Sequence, residues 1–100
     1  MKSFDELRTQ ASQINTGATD YPTDSVLKLL SDTKATCESY PNFKYDRAPD
    51  NVLLNHDIFD LRVCRDLCVS GLNSAENKVA LDARFKSVNA FLLTYSTTTI

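Results

Sequence analysis

Four side chains are soft enough to ligate a transition metal or to do thiol chemistry: Cys37, His56, Cys64 and Cys68. Three thiolates and an imidazole are a set that zinc accepts, each donor about 2.0–2.3 Å from the ion. Their spacing works against it. On one continuous helix His56 and Cys64 stand about 12 Å apart along the axis, so only a break after His56 would bring both to one ion. Cys64 and Cys68 lie four residues apart. That fits neither a redox motif with two intervening residues nor an unstrained disulfide within a helix. All three cysteines are therefore expected to be small buried side chains. No metal and no cofactor are expected.

His56-Asp57, with Asp60 nearby, is the only other arrangement that suggests general-base chemistry. A single histidine does not make a multi-histidine metal site, and Gly17 and Gly71, the only glycines, are too few for a phosphate loop or a nucleophile elbow. Acidic residues beside a lone histidine more often mark a solvated helix edge, so the chain is not expected to be an enzyme.

Nucleic acid is a weaker alternative. Eleven lysines and arginines stand against thirteen aspartates and glutamates, for a net charge of -2, and the signs are interspersed without a run of either. The stretch Val69-Ser70-Gly71-Leu72-Asn73-Ser74 has the layout of a turn between two helices, but the next helix opens Ala75-Glu76-Asn77-Lys78, a poor reader of a groove. Phe43-Lys44-Tyr45 and Arg47 interleave rings and positive charge as single-strand binders do. No membrane contact is expected.

With 42% hydrophobic and 24% charged residues over 100 positions, the composition is that of one globular domain. Met1-Lys2-Ser3-Phe4-Asp5-Glu6 turns acidic without an apolar stretch behind it, so a secretory signal is not expected. An odd number of cysteines favours a reducing cytoplasmic setting, with a processed secreted form as the alternative.

The elements that would position these residues read as helices. Ser3 and Glu6 have capping-box spacing, and Phe4, Leu7, Ala11 and Ile14 follow at steps of three and four, giving a first helix over 4–14. Thr23 caps a second, 23–40, with Val26, Leu27, Leu30, Cys37 and Tyr40 on one side and Pro41 as its stop. Asp50 opens a third, 50–70, closed by a left-handed Gly71. Ser74 caps a fourth, 75–95, on which Leu81, Phe85, Val88, Leu92 and Tyr95 repeat at four, three, four and three residues, with Asp82 and Lys86 as an exposed pair. The expected fold is all-α, a small four-helix bundle whose last two helices form an antiparallel hairpin, in one domain over 1–100 with a frayed tail at 96–100.

The third helix has two apolar faces. Val52, His56, Phe59, Val63 and Leu67 fall within a narrow charge-free arc, read as the core face. Leu54, Ile58, Leu61 and Cys68 form a second stripe, interrupted by Arg65. Such a helix is either central to the fold or leaves a face for a second copy, and the arc from Val52 to Leu67 is then the self-association candidate. Between Pro41 and Pro49 an ordered loop is expected. Tyr40, Phe43, Tyr45 and Arg47 cluster there and are of the types enriched at interface hot spots, which makes them the protein-binding candidates; packed inward, they would staple the second helix to the third.

Small bundles of this size act as inhibitors, immunity proteins, adaptors or viral and bacterial accessory proteins. No motif here selects one of these. The expected function is a non-enzymatic protein-binding module that covers a site on another protein. The alternative is a self-associating structural or assembly subunit, for example of a bacteriophage particle, and a nucleic-acid-binding regulator comes after it.

Overall fold

Ser3 opens the first helix by reciprocal capping: its Oγ accepts from the Glu6 N–H at 3.2 Å, and Glu6 Oε1 accepts from the Ser3 N–H at 3.3 Å. In the computed structural model, which describes residues 2–45 and 51–94, this helix is α1, Phe4–Ser12. It ends two residues earlier than its apolar spacing suggests. The Gln13 and Ile14 N–H groups turn back to the Gln10 and Ala11 carbonyls, tightening the last turn, while Ile14 still packs against the core.

The second helix, α2, spans Thr23–Tyr45. Its first bond runs from the Val26 N–H to the Pro22 carbonyl at 3.0 Å, so Thr23 lies inside the first turn and is not the cap. Pro41 does not stop it. A proline inside a helix removes one N–H and costs about 3 kcal/mol. Here the helix lies along α3, Asn51–Asn73, in the most extensive helix-helix interface of the fold, and packing along the pair outweighs that local cost. Asp50, the expected cap of the third helix, is outside the described residues.

From Asn51 onward α3 is unbroken through His56. It also passes through Gly71, so the expected left-handed stop is not there, and no described glycine has a positive φ. The layout of a turn between two helices read at 69–74 is thus helix as far as Asn73. Gly71 serves close approach instead. A Cβ at that position would come 2.5 Å from Leu30 Cδ1 and 3.2 Å from Arg84 Cβ, so three helices meet over its missing side chain.

The fourth helix, α4, spans Lys78–Thr94. Its cap is Asn77, not Ser74: Asn77 Oδ1 accepts from the Val79 and Ala80 N–H groups at 3.1 and 3.2 Å. Ser74 belongs to the connecting turn, its N–H bonded to the Ser70 carbonyl at 3.0 Å. This short connection makes α3 and α4 the expected antiparallel hairpin.

All four helices contribute to one core: Phe4, Leu7 and Ala11 from α1; Val26, Leu29, Leu30 and Cys37 from α2; Leu61, Cys64 and Cys68 from α3; Leu81, Phe85, Val88 and Leu92 from α4. Phe4 meets Phe91 edge to face, with centroids 5.8 Å apart. Two threonines are buried with them. Thr33 Oγ1 donates to the Leu29 carbonyl at 2.7 Å, and Thr36 Oγ1 donates to the Lys2 carbonyl at 2.8 Å, tying the N-terminus to α2.

From Leu61 onward, where its side chains are described, α3 buries a different face from the expected one. Among the described side chains of α3, Leu61, Cys64, Cys68 and Gly71 are buried, whereas in the charge-free arc Val63 is 42% exposed and Leu67 is only partly buried. Cys64, Cys68 and Gly71 are small, and small residues let α2 and α4 come close. Arg65 sits at the edge of that face, half-buried, and does not interrupt it. The side chains of Val52, His56 and Phe59 lie outside the described residues, as do Tyr95 and the tail expected to fray.

Candidate functional site

Three surface features and one buried cluster can be built from the described side chains. The first joins α1 to α2. Asp32 Oδ2 accepts from Lys2 Nζ at 3.0 Å and Gln10 Nε2 at 3.2 Å, with Lys28 Nζ at 3.8 Å. Burial alone would raise the Asp32 pKa, but the hydrogen bonds from Lys2 and Gln10, with the charges of Lys2 and Lys28, outweigh it and hold the carboxyl below its usual range. A cavity of about 300 Å³ opens beside this cluster, lined by Lys2, Gln10, Gln13, Ile14, Ser25 and Lys28. The bonds of Asp32 are turned inward to hold two helices together, a structural use.

A carboxyl with a depressed folded-state pKa stabilises the fold above its unfolded pKa, and that stability is lost as pH falls through the folded value. Asp32→Asn is therefore expected to cost at most about 1 kcal/mol near neutrality. The gap between the two proteins should close as the pH drops below the ordinary carboxylate range. Urea unfolding of both across that range checks this.

The second feature fastens the 13–22 connection to α4. Tyr21 Oη donates to Asp82 Oδ1 at 3.1 Å, and Asp82 Oδ2 pairs with Lys86 at 3.1 Å, the ion pair expected from the sequence. Burial, then the hydrogen bond to the Asp82 carboxylate, pushes the Tyr21 phenol up to about 12. Nearby, Arg8 Nη1 donates to the Leu92 carbonyl at 2.9 Å near the C-terminal end of α4. These bonds fix the orientation of α4.

That orientation defines the third feature. With Leu81, Phe85, Val88 and Leu92 inward, Val79, Ala83, Lys86, Ala90 and Leu93 point outward. The outer positions step by four, three, four and three, the spacing of the inner stripe displaced by two residues and hence by about 200° around the helix. Val79 is 81% exposed and Leu93 is 69% exposed. The outward face of α4 is a second heptad stripe, with Lys86 its one charge. Sequence reasoning stopped at the inner stripe; the second was legible as the same repeat on the opposite side.

The buried cluster is made of thiols. Cys37 on α2 and Cys64 and Cys68 on α3 are all free and buried. Hydrogen bonds with Cys37 and Cys68, together with burial, push the Cys64 pKa well above the usual thiol range. Among the described residues, no group of three His, Cys, Asp or Glu side chains is placed to hold a metal ion. The His56 side chain of the nominal zinc set lies outside them.

Of the protein-binding candidates, the backbone of Tyr40, Phe43 and Tyr45 lies in the last turns of α2, which for Phe43 and Tyr45 is helix in place of the expected loop, and Arg47 is outside the described residues. Leu30 beside Gly71 gives the register of α2 against the antiparallel α3. Carried along the pair, that register sets positions 40–45 about level with 56–61.

Among the described residues, no helix is long and apolar enough to cross a membrane. No family model, no curated protein and no solved structure matches this chain.

Proposed function

We propose that this chain is a protein-binding module that covers a site on another protein, and that its contact is the outward face of α4, met by an amphipathic helix of the partner. The observation that supports the reading is the exposure of Val79 and Leu93 on one line of a helix whose opposite face is already buried. Fully burying a valine or leucine is worth about 1.5–3 kcal/mol, so leaving both in water is a standing cost that a partner would relieve.

The stripe describes the occupant. Positions repeating every 3.5 residues suit a second helix with its own apolar heptad seam, and alanines at 83 and 90 let the two backbones approach closely. Lys86 in the middle favours an acidic side chain opposite it. Such a partner would be recognised by shape and a single charge, with no chemistry at the contact.

Light scattering after size-exclusion chromatography, over a range of concentrations, is expected to give a monomer. Affinity capture from cells that make the protein then compares the wild type with the double variant Val79→Lys/Leu93→Lys. The variant should lose the captured partner, with affinity down at least about tenfold, while its unfolding stays within about 0.5 kcal/mol of wild type because both positions are exposed. Equal capture by both proteins would refute this surface. A concentration-dependent oligomer that the double variant dissolves would assign the face to a second copy, and the protein to the structural subunits.

A further inference from the structure

We propose that Cys37 and Cys64 form an oxidisable pair, which a small-molecule disulfide converts into a covalent bond between α2 and α3, leaving Cys68 as a free thiol. The three thiols are buried together at the most extensive helix-helix interface, and the contact of Leu30 with Gly71, two turns from each along the facing helices, sets Cys37 level with Cys64. Geometry selects the pair. Cys64 and Cys68 are one turn apart on the same helix, where Cβ atoms stand about 5–6 Å apart, whereas a disulfide needs about 3.5–4.5 Å. Cys37 approaches Cys64 from the facing helix and is free of that constraint.

Pro41 supplies the way in. It stands four residues after Cys37 within α2 and carries no N–H, so it cannot bond the Cys37 carbonyl in the helical ladder. The turn that holds Cys37 is thus a weak point in an otherwise continuous helix, and local opening there admits a small oxidant. The Cys37 thiolate attacks the disulfide RSSR, forming a mixed disulfide and releasing one RS⁻, which takes up the proton Cys37 gave. The Cys64 thiol, held next to the mixed disulfide when the helix closes, loses its proton, attacks the Cys37 sulfur and expels the second RS⁻. In sum, two protein thiols and RSSR become one protein disulfide and two RSH: two electrons pass to the small disulfide, and two protons go with its halves. Fixed proximity makes the second step intramolecular and favours it over a lasting adduct.

The test uses the wild-type chain with oxidised glutathione, at urea concentrations rising to just below the unfolding transition so that local opening is sampled. The reaction is quenched by alkylation in denaturant and read by mass spectrometry with peptide mapping. Expected are one alkylated thiol in place of three, a loss of about two mass units before alkylation, and a Cys37–Cys64 cross-link that dithiothreitol reverses. Cys68→Ala should oxidise in the same way and end with no free thiol, and Cys37→Ala should form no cross-link within the chain. Three alkylated thiols throughout, a persistent glutathione adduct, a Cys64–Cys68 link or a disulfide-joined dimer would each overturn the proposal.

Discussion

Phe4→Ala is expected to remove about 3–5 kcal/mol of stability, the largest effect of any single substitution considered for this protein. Phe4 is fully buried at the first position of α1, and its ring meets Phe91 of α4 edge to face. With Leu7 and Ala11 it makes up the whole buried face of a nine-residue helix, too short to persist without docking. Truncation leaves a cavity between α1 and α4 and undoes the geometry by which Arg8 reaches the Leu92 carbonyl. For a domain of this size, such a loss lowers the melting temperature by about 15 °C or more. Thermal unfolding followed by circular dichroism measures it. A change below about 1 kcal/mol would mean that α1 does not dock as described.

Gly71→Ala should run against the usual rule. In the interior of an ordinary helix, alanine is about 1 kcal/mol better than glycine. At this position the added methyl meets Leu30 Cδ1 at 2.5 Å and Arg84 Cβ at 3.2 Å. Leu30 is fully buried and has little room to swing aside, and Arg84 Cβ is fixed to the α4 backbone. The Arg84 Nε is already buried without a hydrogen-bond partner, so displacing this side chain disturbs a polar group under strain of desolvation. The expected outcome is a loss of about 1–3 kcal/mol, as for other overpacked sites. Urea unfolding decides the sign, and a gain in stability would contradict the three-helix junction at Gly71.

These two positions also show what the sequence makes legible and what it does not. Phe4 is readable because a capping box and a three-and-four apolar spacing agree locally, and the inner stripe of α4 is readable for the same reason. Gly71 is misread because a glycine near the end of an apolar run has two uses, a left-handed stop or a close approach, and only the neighbouring helices decide between them. Pro41 is misread in the same sense: its local cost is real, but the pairing of α2 with α3 is a long-range gain. On α3 the charge-free arc and the buried face diverge from Leu61 onward, where Cys64, Cys68 and Gly71 face the core and their small size sets the helix spacing. The cap of α4 moved from Ser74 to Asn77 because both are good caps, and the turn between them settles the choice.

The candidate site follows a similar division. An outward heptad stripe on α4 can be read from residue types alone, but its exposure depends on which face the bundle buries. The thiol cluster depends wholly on register. Nothing in the positions 37, 64 and 68 says that the facing helix brings the first beside the second.

Methyl NMR of Val79 and Leu93 tests the central claim most directly, with Leu81 and Leu92 as internal references on the same helix. On addition of the captured partner, the methyl signals of Val79 and Leu93 should shift or broaden, while those of Leu81 and Leu92, buried on the opposite face, hold their positions. If Val79 and Leu93 stay unchanged at saturating partner, the outward face of α4 is not the contact and the proposed function loses its support.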